Sequence, residues 1–296
     1  MRPEELRDRL EERVLLLDGG MGSLLMSEGL ERGRAPEWWN LEHPERVEAA
    51  HRGYVEAGSD IVHANTFGAS PPKLKVAGLE GRCREVNTVA VTIARRACRA
   101  AALVAGDLGP TGLLLPPVGQ ATVEEMAGAF REQASALAEA GADLLSIETM
   151  YDLREALVAA EAARATGLPV LASMTFESRK RGFFTIMGDP LSASLEALAG
   201  AGADAVGCNC SVTSSVMVGM VSEARRSVSV PIAAQPNAGQ PRVTPQGTAY
   251  DASPEAFARD VVAIVEAGAR LVGGCCGTTP AFIACARAGL GTAGVR

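Results

Sequence analysis

The chain has 296 residues, enough for one α/β barrel of about 250 residues or for two smaller domains. Apolar residues make up 47% and charged residues 21%, the balance of a globular chain that buries a large core. Lys and Arg total 28 against 35 Asp and Glu, a net charge of −7; there is no basic surplus for a phosphate backbone or an anionic bilayer, so no nucleic-acid and no membrane partner is expected.

Residues 1–13 alternate in charge and predict a short polar helix, an N-terminal extension to the main domain. The apolar run Val14–Leu17 is too short for a signal-peptide core, and the longest uncharged stretch, Ala205–Ser222, carries too many Ser, Thr and Asn residues for a bilayer span. With seven cysteines and no secretory signal, the expected compartment is the reducing cytoplasm.

A weak repeat sets the architecture. Ala-Gly-small-Asp/Arg followed by an apolar pair occurs at Ala57–Val62, Ala140–Leu145, Ala201–Val206 and Ala267–Val272. Each glycine follows a helical pattern and precedes an apolar run, which reads as a helix C-terminus feeding a buried parallel strand. One further strand fits between successive copies. The predicted strands are therefore roughly 14–18, 60–67, 103–109, 143–150, 169–176, 203–210, 231–239 and 270–277. Ala-rich amphipathic segments such as Val86–Ala102, Thr122–Ala140 and Pro254–Ala267 predict the intervening helices. Eight βα units predict a single-domain (β/α)₈ barrel over 1–296, in preference to an open doubly wound sheet. Pro110–Gly119 and Glu177–Pro190 read as long loops at C-terminal strand ends, where barrels build their sites.

Polar residues collect at those strand ends: Asp18, Asn65-Thr66, Asp107, Glu148-Thr149, Asn209-Cys210, Asn237 and Cys275-Cys276. Cys275 and Cys276 lie between glycines at the rim. Adjacent residues on a regular strand face opposite ways, so both can hold one metal only if the backbone turns there. Cys208 and Cys210, two apart on strand six, are equivalent by spacing as the third thiolate. Three thiolates on Zn²⁺ leave one position open, the pattern of a catalytic rather than a structural site. Such a site suits a substrate thiol better than hydrolytic water. Cys83, Cys98 and Cys285 fall on helical patterns and read as small buried hydrophobes.

Asp18 stands in Leu17-Asp18-Gly19-Gly20-Met21-Gly22, where backbone N–H groups and a following helix can meet a carboxylate. Glu148 ends an otherwise apolar strand. Two rim carboxylates with backbone donors suit an amino-acid zwitterion. Of the three histidines, His43 starts a helix before Pro44, His51 is expected on that helix's exposed face, and His63 reads as a hydrogen-bonded core residue.

The series Asp18-Gly19-Gly20-Met21-Gly22, Asn65-Thr66-Phe67-Gly68, Gly106-Asp107-Leu108-Gly109-Pro110, Glu148-Thr149-Met150, Asn209-Cys210, Pro236-Asn237-Ala238-Gly239 and Gly273–Pro280 resembles, in order and over about 14–285, the motifs of the homocysteine S-methyltransferase family. The resemblance implies a (β/α)₈ barrel and zinc on Cys210, Cys275 and Cys276, which separates Cys210 from Cys208. It implies Asp18 and Glu148 as contacts for the amino group of homocysteine. Asn65, Thr66 and Asn237 are further candidates for supporting substrate contacts. The motifs around Asn65, Met174 and Asn237 look most similar to the homocysteine barrel of cobalamin-dependent methionine synthase, but no Asp-x-His-x-x-Gly cobalamin motif is present. The expected donor is therefore methylcobalamin on a separate corrinoid protein. S-methylmethionine, S-adenosylmethionine and betaine are the alternatives, although Gly68 stands where betaine-using relatives place a tyrosine. A reading of another class is a zinc–thiolate module that binds or senses thiols without turnover.

Overall fold

A computed structural model describes residues 1–244 and 247–294. The eight barrel strands are β1 (Leu15–Leu16), β2 (Ile61–His63), β3 (Leu103–Leu108), β4 (Leu144–Met150), β5 (Val170–Met174), β6 (Ala205–Thr213), β7 (Ile232–Asn237) and β8 (Leu271–Val272). Neighbours pair in parallel from β2 round to β8 and on to β1. The β1–β2 seam is joined by the Asp60 N–H to Leu16 O (2.7 Å) and by the Leu16 N–H to Asp60 Oδ2 (2.8 Å). Helices such as Pro44–Glu56, Cys83–Cys98, Val123–Glu139 and Pro254–Glu266 alternate with the strands. The fold is the (β/α)₈ barrel expected. Its first, second and eighth strands are shorter than the apolar runs that announce them.

The repeat works at both of its halves. All four glycines are left-handed, with φ of 101°, 92°, 89° and 118° at Gly58, Gly141, Gly202 and Gly268. Each closes the same two bonds at a helix end, as at Gly58, whose N–H reaches Val55 O, while Ser59 N–H reaches Tyr54 O. The acidic residue then ties its strand to the one before it. Asp60, Asp143 and Asp204 accept the N–H of Leu16, Val104 and Val170 at 2.8–2.9 Å. The fourth copy has Arg270, whose guanidinium donates instead to Leu10 O (2.7 Å) and Glu11 O (3.0 Å), at the end of helix Pro3–Glu12.

That helix closes the bottom of the barrel. Leu6 and Leu10 pack with Leu15, Leu17, Ile61, Ala105, Leu144, Leu171, Ala205, Ala233 and Leu271, one inward residue or more from each strand. The rest of the inward positions follow by the period of two. His63, Asp107, Ser146, Glu148, Ser173, Gln235 and Asn237 therefore form polar layers above an apolar floor, all of them buried. The outward residues, Cys208 among them, join the large core between strands and helices.

Two expectations are corrected. The Glu177–Pro190 segment is not an open loop: Glu177–Arg179 and Gly182–Phe184 pair as an antiparallel hairpin. His51 is not exposed but wholly buried, because Val47, His51 and Tyr54 share the inner stripe of helix Pro44–Glu56. Among the described residues no helix is long and apolar enough to cross a membrane.

Candidate active site

The sulfurs of Cys210, Cys275 and Cys276 lie within 4.8 Å of one another at the C-terminal rim. Cys210 and Cys276 are 3.8 Å apart, Cys275 and Cys276 4.0 Å. Each thiol is half-buried, and none is in a disulfide. Two departures from regular strand make this possible. At β6 the pairing with β7 shifts after Asn209, and Cys210 and Ser211 take left-handed φ of 61° and 55°. An extended Cys210 would point outward with Cys208, into the helix layer. The left-handed pair turns it into the mouth, a cost that non-glycine residues bear at functional sites. At β8 the strand ends at Val272, and a turn follows in which Thr278 donates to Cys275 O from its N–H (3.1 Å) and from Oγ1 (2.6 Å). The turn closes on Gly277, at φ 80°, where a Cβ would sit 2.3 Å from the Tyr250 ring.

The three thiols are not equivalent. Hydrogen bonds from Cys275 and then Cys276 pull Cys210 down to about 3, against the effect of burial, with help from the Ser211 N–H and the Asn237 amide. Cys275 is correspondingly held well above the ordinary thiol range. Cys208, by contrast, is pushed up by burial in an apolar layer. The cluster thus holds one thiolate, Cys210, beside two thiols, Cys275 and Cys276, whose protons a soft cation would displace, and Cys208 has no part in it.

Below the sulfurs lies a buried chain of charge. Asp18 Oδ1 is 2.6 Å from His63 Nδ1, and Asp18 Oδ2 accepts the His63 N–H at 2.9 Å. His63 Nε2 is 3.1 Å from Glu148 Oε1 and 3.2 Å from Ser146 Oγ. Gln235 Nε2 donates to the same Glu148 oxygen at 3.0 Å. Burial alone would lower the His63 pKa, but Glu148 and then Asp18 outweigh it and raise it to about 10. Asp107 is pushed far up by burial and by Glu148.

Four buried polar atoms of the inner layers have no partner: Asp107 Oδ1, Ser173 Oγ, Gln235 Oε1 and Asn237 Oδ1. Buried polar groups are rarely left unpaired without a ligand or water to meet them. Gln235 and Asp107 adjoin Glu148 and Asn237 adjoins Cys210, so these unmet atoms mark a candidate polar cradle.

The candidates from the sequence therefore divide. The structure brings together the three cysteines, and sets Asp18, Glu148 and Asn237 in the barrel mouth. Asn65 and Thr66 face elsewhere. The Asn65 amide donates to Pro36 O and Asn40 Oδ1, both at 2.9 Å. Thr66 Oγ1 donates to Asp107 O at 2.8 Å and accepts the Asp107 N–H at 3.0 Å. They buttress the rim rather than line it. The helix after Gly20 is only Met21–Ser27. Sequence reasoning missed Gln235, whose inward parity on β7 was the available signal. It also missed Tyr250, brought against Cys276 by the hairpin of Pro241–Thr244 and Gly247–Tyr250.

The family model for homocysteine S-methyltransferase matches residues 15–290. The chain belongs to this family. It is 33% identical over 298 residues to the methionine synthase of Mycobacterium tuberculosis, covering 94% of this chain and 25% of that protein. The corresponding figures for the Mycobacterium leprae methionine synthase are 31% over 300 residues, 94% and 24%. The chain thus spans about a quarter of the length of these relatives. It also superimposes on the metallated crystal form of the homocysteine methyltransferase MmuM from Escherichia coli, with a TM-score of 0.80, 28% identity, and coverage of 96% of this chain and 99% of that one.

Proposed function

We propose that this family member transfers a methyl group to the thiol of homocysteine, giving methionine, with a zinc ion held by Cys210, Cys275 and Cys276. The observation that carries the reading is the convergence of three sulfurs from two separate strand ends. Thiolates bound to one tetrahedral Zn²⁺ at about 2.3 Å stand about 3.8 Å apart; the separations here are 3.8 and 4.0 Å. When bound, the ion would supply a vacant position that keeps an incoming thiol in its thiolate form at neutral pH.

The chain's own residues do the rest. Asp18 and Glu148 take the α-ammonium group, and Asn237 supports the amino acid from the end of β7 with its unpartnered Oδ1. Asn65 and Thr66 act at one remove, fixing the Pro36–Asn40 segment and the end of β3. The homocysteine S–H proton is lost to solvent. A sulfur lone pair then forms the new C–S bond as the methyl carbon's bond to the donor breaks, its electron pair leaving with the donor. Holding sulfur and methyl carbon in line at about 3–3.5 Å supplies much of the rate.

For the donor we propose methylcobalamin presented over the mouth by a corrinoid-binding domain or protein; the likeness to methionine synthases supports methionine as the product. The free thiols this chemistry needs suit the cytoplasm. The test is metal analysis followed by methionine formation from homocysteine with each donor in turn: methylcobalamin on a corrinoid protein, S-methylmethionine, S-adenosylmethionine and betaine. One zinc per chain and methionine from the corrinoid donor are expected. Turnover with a small donor alone would replace the donor assignment. Stoichiometric homocysteine binding without turnover under any donor would make the chain a thiol-binding module.

A further inference from the structure

The two carboxylates assigned to the ammonium group are not free, since one imidazole lies between them and touches both. Its Nδ1 is 2.6 Å from Asp18, and its Nε2 is 3.1 Å from Glu148. We infer that His63 is the built-in counter-cation of the amino-acid subsite, a positioning residue that holds Asp18 and Glu148 apart and leaves them one net negative charge to offer a single ammonium group. The inference rests on the homocysteine reading above and deepens it. It makes the subsite selective for an acceptor with one positive charge near its thiol.

The groups facing His63 support this count. Asp18 comes from the end of β1, Ser146 and Glu148 from β4, Asp107 from β3, and His51 from helix Pro44–Glu56. Burial drives Asp107 toward its neutral acid and His51, down to about 4, toward its neutral base. Gln235 and Ser146, the remaining contacts of Glu148, carry no charge. The groups left in direct contact are one imidazole and two carboxylates, at 2.6 and 3.1 Å. Two carboxylates in one buried layer without a cation between them would not both ionise, because like charges disfavour each other there. The imidazolium removes that conflict, and its two ring N–H groups fix one oxygen of each carboxylate.

His63→Gln and His63→Asn test the idea by kinetics in zinc-loaded enzyme. Removing the cation lets one carboxylate take up a proton as pH falls, so ammonium binding weakens toward acid. The expected result is a KM for homocysteine raised about tenfold or more with kcat nearly kept. The KM ratio of variant to parent should also widen as pH falls from about 8.5 to 6.5. A merely structural histidine would alter kcat, stability and KM together with no such slope. A ratio within about twofold at every pH would overturn the inference. A measurement on the unaltered protein keeps it falsifiable if neither variant folds. With three histidines in the chain, ¹⁵N-histidine spectra resolve each ring. One ring protonated on both nitrogens up to about pH 8.5 is expected, and all three titrating below neutrality would overturn it. Failure of the parent to bind or methylate homocysteine would instead overturn the function proposed above.

Discussion

Asn209 spans two strand ends with one amide: its Oδ1 accepts the Thr149 N–H at 2.8 Å, and its Nδ2 donates to Thr149 Oγ1 at 2.7 Å. Both residues stand beside functional ones, Asn209 before Cys210 and Thr149 after Glu148. Both also sit at a break in strand register, and Thr149 has a left-handed φ of 57°. The amide therefore couples the turn that aims Cys210 to the bulge that follows Glu148.

Asn209→Ala removes both bonds and leaves the half-buried Thr149 N–H without its partner, costing about 1 kcal/mol. Because it loosens the backbone that aims Cys210 into the proposed zinc site, zinc affinity should fall about 10–100-fold. Urea denaturation and zinc competition with a chromophoric chelator measure the two effects. Loss of stability with unchanged zinc affinity would mean that Cys210 is aimed without this link.

The neighbouring cysteines give a sharper contrast. Cys210→Ser and Cys276→Ser should each reduce bound zinc from one per chain to near zero and abolish methionine formation. Cys208→Ala, in the outward layer, should keep both and cost only about 1 kcal/mol for a small cavity. Metal analysis of the three variants decides it, and zinc loss in Cys208→Ala would assign the wrong sulfur.

That contrast also marks how far the sequence could be read. The glycine–acid repeat revealed the barrel because one local device, a left-handed glycine followed by a carboxylate that ties its strand to the preceding one, recurs at Gly58, Gly141 and Gly202. The rim residues followed from the strand ends. Periodicity could not separate Cys208 from Cys210, because two left-handed residues, which nothing in their composition announces, decide the direction of the second sulfur. Family likeness, not spacing, selected Cys210.

His63 shows a second limit. Its sequence context places it in the core with hydrogen bonds, and it has them, but the inside of a barrel changes from apolar to polar within one strand, between Ile61 and His63. A period of two identifies the inward face and not the height along it. Asn65 and Thr66 spend their polar atoms within the rim because the chain turns after β2, sending one amide toward Pro36 and one hydroxyl toward Asp107. The two hairpins were missed because neither joins the barrel sheet.

The bottom of the barrel is predicted to carry stability without function. Leu6 and Leu10 are 1% and 2% exposed and fill the layer opposite the thiols. Leu10→Ala should cost about 2–5 kcal/mol through lost burial and the cavity left behind, while zinc stoichiometry stays at one per chain. Urea midpoints and metal analysis read these separately. An unchanged midpoint would make helix Pro3–Glu12 an accessory rather than a plug.

The buried Glu37 makes a pH-dependent prediction. Its side chain is almost inaccessible, and Oε1 accepts the Gly68 N–H at 2.6 Å. Burial raises its pKa above the usual carboxylate range despite the opposing pull of its own N–H, the Gly68 N–H and Lys73. A carboxyl with a raised folded pKa binds its proton more tightly in the native state. Its contribution is complete below the unfolded value, about 4.3, and declines as pH rises through the folded one. Glu37→Gln keeps an oxygen for Gly68 and has no charge to bury. The variant should therefore gain on the parent as pH rises from about 4.5 to 8, read as the difference between their melting temperatures across that range. A parent that gains on the variant toward alkaline pH would mean that Gly68 and Lys73 outweigh desolvation and that Glu37 is held as a carboxylate at the rim.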